Sequence, residues 1–478
     1  MALTDFISAL STTQVKGLKV DTITAMTSVE LGALKSEQVK VLSTAQFAAI
    51  DNVDDYKGLK LSGLSSTVVA ALTVGAATDL GSYAAVSANA TDKLQTSQIG
   101  SLKKDVTDGF TTADLDALAA DDTIKGLSST QISGLVGAKF SGTSIEKLTS
   151  SQIGAMSSQQ ISDLGATVAA KLTAAQLAGL SAEGAKGLEV TDIEALFTTT
   201  NADAADNVKA LSTKAIAALT TTQLAKLDAV GGGALTAAQI KALSTTQVTA
   251  LTDDEMGNWG QTQIEALSAK QLQAMAVDKL DQTQVGLLTE TQIAGLDGTK
   301  IGLLNEDAVA AWSPAQLGAI SSTGAAGLTG GQLGKFDDAD INALSTKAFA
   351  ALSPTLLADL NENNIIAKLD ATHIKALTAA QIKGLKDDQI TALTGAQLKE
   401  MSAAQINAFE DGKLALFEKD ELALMDTAAL KGLEKNDFDS FDDDQLSSLT
   451  TDKELSFSQD QTNWIINAYL ESGVKTFP

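Results

Sequence analysis

Thr378-Ala379-Ala380-Gln381-Ile382-Lys383-Gly384-Leu385 is one unit of a long run, and its reading decides the fold. Ser11-Thr12-Thr13-Gln14-Val15-Lys16-Gly17-Leu18 and Thr173-Ala174-Ala175-Gln176-Leu177-Ala178-Gly179-Leu180 follow the same plan. Ser, Thr or Asp opens the unit. Gln, Asp or Glu stands fourth, Ile, Val or Leu fifth, Ala or Gly seventh, and Leu closes it. The closing residue falls at Leu18, Met26, Leu34, Leu42 and Ile50. It recurs without a slip from Leu280 to Leu360, and after an insertion near Asn363 and Asn364 from Leu369 to Ile465. A period held over such distances marks a repeat architecture.

The phase breaks at Asp51 to Leu72, Gly81 to Leu94, Leu135 to Leu148, Phe197 to Leu211 and Ala276 to Leu280. These stretches read as bends, loops or boundaries between segments. They divide the chain into repeats with an irregular insertion over 1–94, central repeats with phase breaks over 95–275, a regular array over 276–465, and a terminal cap or tail over 466–478.

Each unit carries its own helix start. An opening Ser or Thr accepts from the backbone N–H three residues on, and the fourth-position Gln reaches back to the cap's own N–H. Ser11 with Gln14, Ser43 with Gln46, Thr236 with Gln239 and Ser402 with Gln405 all fit this capping box. The fifth and eighth positions are apolar and three apart, as on one face of a helical turn. One continuous helix fails on geometry. Eight residues at about 100° each advance two turns plus about 80°, so the apolar stripe would wind around the rod. The chain must break once per unit, and helices that short are unstable alone. Stacked neighbours supply what one unit lacks, which is the logic of a solenoid. The expected fold is therefore all-α, a superhelix of short two-turn helices, one per unit. A β-solenoid is the second candidate, disfavoured by the Ala-rich positions.

Composition narrows the function. The 478 residues carry 59 acidic and 34 basic side chains, a formal net charge of −25. Every basic side chain is a lysine, and there is no cysteine. Nucleic acid is excluded as a partner, because its affinity rests on neutralised phosphates. Bidentate arginine clamps and thiolate metal sites are excluded by residue type. No stretch approaches the roughly 20 apolar residues of a membrane span. The N-terminal residues Met1 to Leu10 lack the basic and apolar regions of a standard secretion signal.

Chemistry-bearing motifs are sparse. His373, the single histidine, stands fourth in its unit and reads as a capping residue. A triad would have to be built around it alone. The run Val230-Gly231-Gly232-Gly233-Ala234 reads as a unit opened into a loop. Acidic clusters are the candidates for hard cations such as calcium. They are Asp51, Asp54 and Asp55; Asp253, Asp254 and Glu255; and, as the chosen candidate, Asp437, Asp439, Asp442, Asp443 and Asp444. Asn463 to Leu470 form an amphipathic patch that reads as an end cap, and Leu3, Phe6, Ile7 and Leu10 the same at the other end.

The units Leu42-Ser43-Thr44-Ala45-Gln46-Phe47-Ala48-Ala49 and Leu377-Thr378-Ala379-Ala380-Gln381-Ile382-Lys383-Gly384 resemble repeats of large, repetitive bacterial surface proteins. The resemblance spans about Ser11 to Ile465. Surface-layer and adhesin proteins of this kind are similarly acidic and cysteine-free, and many leave the cell by type I secretion. The resemblance implies a location outside the cell or on its surface. It carries over no catalytic residue. The expected function is that of a non-enzymatic structural protein, a subunit of a self-assembling layer, sheath or filament, whose partners are its own copies or other cell-surface components. An adhesin or spacer is the alternative. No cofactor is expected beyond calcium.

Overall fold

The computed structural model describes residues 1–50, 59–71, 93–197, 204–231, 235–252, 256–359, 365–450, 453 and 456–471. Among them there is no strand, so the chain is an all-α repeat protein and the β-solenoid is excluded. It forms two compact units, Met1–Asn258 and Trp259–Pro478.

Within each, one sequence unit makes one helix and one extended junction. Many helices are shorter than two turns: Thr12–Lys16, Ser129–Ile132 and Ala379–Lys383 run four or five residues. The junction follows from the opening residue. Ser11, Thr173 and Thr378 all sit in extended backbone (ψ 158°, 160° and 156°), each with its hydroxyl accepting from the N–H of the fourth-position Gln. The preceding Leu lies just past the end of its helix, as Leu10 and Leu377 do, and the chain turns there into the next cap.

The helices wind into a coil whose turn takes between three and four units. Ser150–Gly154 packs on Ala174–Gly179, and Ala182–Lys186 on Thr213–Ala218, each three units apart. Fifth- and eighth-position side chains line the interior. Ile382, Ile293 and Leu177 are sealed from solvent, as are the closing Leu180, Leu296 and Leu393. Burial of this apolar row is the main favourable term.

The small seventh residue marks the closest approach between turns. A Cβ on Gly187 would stand 2.0 Å from the carbonyl oxygen of Ser158, the second residue of the unit three back. Gly126 meets Thr96, Gly179 meets Ser150 and Gly432 meets Ala403 in the same way. A Cβ on Gly17, in the first described turn, meets only ordinary contacts at 3.5 Å.

Three of the phase breaks expected as loops or boundaries hold shortened units that stay in the coil, and a fourth such unit, Ile124–Gly126, lies outside them. Leu61–Gly63, Ile124–Gly126, Gly137–Lys139 and Val277–Lys279 are single 3-10 turns. Each keeps the fourth to eighth positions and drops the cap and first turn. The buried pairs Leu61 and Leu64, Ile124 and Leu127, and Val277 and Leu280 remain three apart. A 3-10 turn closes i to i+3 and so preserves that spacing. The stretches 81–92 and 198–203 lie outside the described residues.

Among the described residues no helix is long and apolar enough to cross a membrane. Lysines stitch neighbouring turns on the outside: Lys335 pairs with Asp307 at 2.6 Å, Lys375 with Glu400 at 2.6 Å and Lys386 with Asp359 at 3.1 Å. These pairs are solvent-exposed and each contributes little to stability.

The contrast between two seventh-position glycines is a direct test of the coil. Gly187→Ala should destabilise the fold by about 1–3 kcal/mol, because backbone must move to admit the methyl group. Gly17→Ala should be neutral or slightly stabilising. Urea unfolding midpoints of the two variants check both.

Candidate functional site

The fourth-position side chain is where the chain places its recurrent buried polar chemistry. Gln381 is sealed from solvent. Its Oε1 accepts from the N–H of Thr378 at 2.9 Å, closing the capping box. Its Nε2 donates to the carbonyls of Phe349 and Leu352 at 3.0 and 3.1 Å, 32 and 29 residues earlier. These are the fifth and eighth residues of the unit four back. Gln176 does the same to Ile145 and Leu148, Gln332 to Ile301 and Leu304, and Gln461 to Leu430 and Leu433. Shortened units take part as acceptors, since Gln152 donates to Ile124 and Leu127.

The capping half of this arrangement follows from the repeat. The amide half was missed, although one signal pointed to it. A capping box accepts Glu as readily as Gln, so a run of glutamines implies demand for a donor as well. The first described turn follows a different pattern. There the fourth positions are Phe6, Gln14, Thr22 and Glu30, of which only Gln14 carries an amide. Leu3 and Phe6, expected to cap this end, are 57% and 55% exposed, whereas Ile7 is buried.

His373 is a rung of the same ladder. Its Nδ1 lies 2.8 Å from Asp370 Oδ1, and its Nε2 lies 2.8 Å from the carbonyl of Leu344 in the unit four back. Phe349 meets the ring edge-on at 5.2 Å. Partial burial opposes ionisation of Asp370, but the N–H groups of His373 and Thr372 and the imidazole hold its carboxyl below the ordinary range. Both ring nitrogens are committed to the scaffold, and the histidine makes the inter-turn contact that a glutamine makes elsewhere, while the cap N–H of Asp370 goes to Asn342 at 3.0 Å.

Asp replaces Gln at Asp192, Asp340 and Asp437. Each accepts from its cap N–H, donated by Glu189 (2.8 Å), Asp337 (2.9 Å) and Glu434 (2.8 Å) respectively. Each carboxyl is pushed up, first of all by burial, and that of Asp437 reaches about 6.

The expected calcium residues therefore serve separate local roles. Asp437 is a buried cap partner. Asp439 pairs with Lys435 at 2.5 Å, Asp442 accepts from the N–H of Gln445 at 2.8 Å, and Asp444 pairs with Lys419 at 3.3 Å. Asp443 opens the helix Asp443–Thr450. Among the described residues no group of three or more Asp, Glu or His side chains converges as a metal site would. Asp51, Asp54 and Asp55, Asp253, Asp254 and Glu255, and the glycines 232 and 233 lie outside the described residues.

Grooves between turns recur on one plan, built by helix starts and helix ends of units three and four apart. One of about 510 Å³ is lined by Gln261, Glu265, Thr289 and Gln316, and one of about 640 Å³ by Lys383, Asn407, Glu410 and Asp411. A third, of about 690 Å³, adds the half-buried aromatics Phe457 and Trp464 to Asn407, Glu434 and Asp460. Trp464 stands seventh in its unit, where Ala or Gly is usual.

The ladder sets a graded expectation. Gln381→Leu should cost about 1–3 kcal/mol by stranding the cap N–H and uncovering two carbonyls. Gln381→Glu should cost more, since a buried carboxylate would face those carbonyls without a donor. His373→Gln should be close to neutral. Chemical denaturation of the three variants orders them.

No protein-family model matches this sequence, and no curated protein matches it.

Proposed function

We propose that this is an extracellular structural protein, a subunit of a self-assembling surface layer, sheath or filament. The observation that carries the reading is the ladder itself. Unit after unit spends its one buried polar side chain on joining coil turns, so the repeat chemistry is directed at the scaffold. The exterior it leaves repeats with the units, as the recurring grooves do. Repeated surfaces suit association with further copies, because heterologous contacts between identical subunits generate lattices or fibres. The charge of −25 keeps separate copies soluble and opposes their contact. Screening or bridging by a divalent cation such as calcium would then promote assembly. The repeat resemblance to bacterial surface proteins supports the same location.

An adhesin or spacer is the second reading, favoured by the C-terminal end. Ile466 and Leu470 are 40% and 70% exposed on the helix Gln459–Glu471, beside the groove that holds Trp464.

Negative-stain electron microscopy of the purified chain, in calcium and in chelator, separates the two. Ordered sheets or filaments that form as calcium or protein concentration rises support the structural subunit. Isolated particles under all conditions, with cell binding abolished by truncation before Gln459, would replace it with the adhesin.

A further inference from the structure

Asp192 departs from the ladder in a way that calls for a proton. It stands where a glutamine would, on the helix Val190–Phe197, and it is sealed from solvent. One carboxyl oxygen, Oδ2, accepts from the N–H of Glu189. The other, Oδ1, is buried with no hydrogen-bond partner among the described residues. By register, the unit four back is the one whose helix is Ser158–Ser162. The two units touch, because Ser162 donates its hydroxyl to Glu189 Oε1 at 3.0 Å. At each of the glutamine rungs described above, the side chain offers an N–H to carbonyls at the end of such a helix. A carboxylate offers only lone pairs there, and acceptor facing acceptor is repulsive. A carboxylic acid restores the donor.

We propose that Asp192 is a proton-operated rung: as the neutral acid it donates from Oδ1 to the end of the helix Ser158–Ser162, and on ionisation it releases that contact between coil turns. Only the carboxyl O–H bond changes: its proton passes to solvent water as the rung opens and returns as it closes.

The surroundings support the neutral form. Burial, first of all, pushes this carboxyl up, and the nearby Glu189 carboxylate adds to it against the cap N–H. The helix Gly165–Ala169, packed against Val190–Phe197, carries no ionisable group. On Thr221–Gly231, Lys226 is engaged by Glu194, and on Ala204–Ala210, Lys209 pairs with Asp206 at 3.7 Å. On Ser158–Ser162 and its end, Asp163 accepts from Gln159 at 2.8 Å. Among the described side chains no cation is left to hold Asp192 ionised. The sign follows. A carboxyl raised in the folded state contributes stability that is complete below its ordinary value of 3.8 and is lost as pH rises through the folded value. The rung is therefore closed in acid and opens as pH rises.

The test compares full-length wild type with Asp192→Asn and Asp192→Gln from about pH 4 to pH 8. Asn mimics the neutral acid and Gln restores the rung, so one folded variant suffices. Infrared difference spectra, wild type minus variant, should show a protonated-carboxyl band that persists above pH 4 and fades as pH rises. Hydrogen exchange of 157–164 and 189–196, corrected for intrinsic rate, should accelerate with pH in the wild type by up to about tenfold per pH unit. It should stay flat in the variants. A wild type with no such band above pH 4, or variants exchanging faster than wild type at every pH, would overturn the proposal.

Discussion

The glutamine amide that spans two turns of the coil is the interaction on which the rest of the molecule depends. A helix of four or five residues is almost all ends, and every helix leaves backbone N–H groups at its start and carbonyls at its finish without intrahelical partners. Packing alone cannot hide such groups, because a buried polar atom without a partner costs stability. Gln381 answers both ends at once, taking the N–H of its own cap and covering carbonyls that end a helix one turn earlier. A fold made of helix ends becomes tolerable because the orphans of one unit are matched to those of another.

That match fixes the winding. The amide reaches the unit four back, while the small seventh residue rests on the unit three back, as Gly187 does on Ser158. Each unit thus sits in the step between two others, and the turn is held between three and four units by hydrogen bonds on one side and backbone contact on the other. Shortened units survive because they keep the parts these contacts need. Ile124–Gly126 still presents two carbonyls to Gln152 and still seats Gly126 against Thr96. The cap and first turn are gone, and the remaining 3-10 turn keeps the buried pair three apart.

Much of this was legible in the residues. The capped unit, the buried fifth and eighth positions and the impossibility of one long helix followed from Thr378 to Leu385 and its copies. What escaped was what depends on the coil's pitch. Nothing local to Gln381 says that its amide will find Phe349, and nothing local to Leu135–Leu148 distinguishes a loop from a trimmed unit. His373 was expected as a capping residue, but the cap N–H of Asp370 goes to Asn342, and the ring instead reaches the carbonyl of Leu344, 29 positions away. The acidic run from Asp437 to Asp444 illustrates the converse. Five neighbours in sequence suggested one site, but they belong to two consecutive units and point to different local partners.

The rungs also have a direction. At each described one, from Gln38 on Ile7 and Leu10 to Gln461 on Leu430 and Leu433, the donor comes later in the chain than its acceptors. No rung awaits residues still to be made. A chain emerging N-terminus first can therefore dock its units in order, each landing on a finished step, with contacts never more than a few tens of residues apart. Short-range closure of this kind favours fast folding and keeps apolar edges covered during synthesis. A polypeptide that emerged from its other end would meet the opposite situation, holding out carbonyls for amides that had already passed.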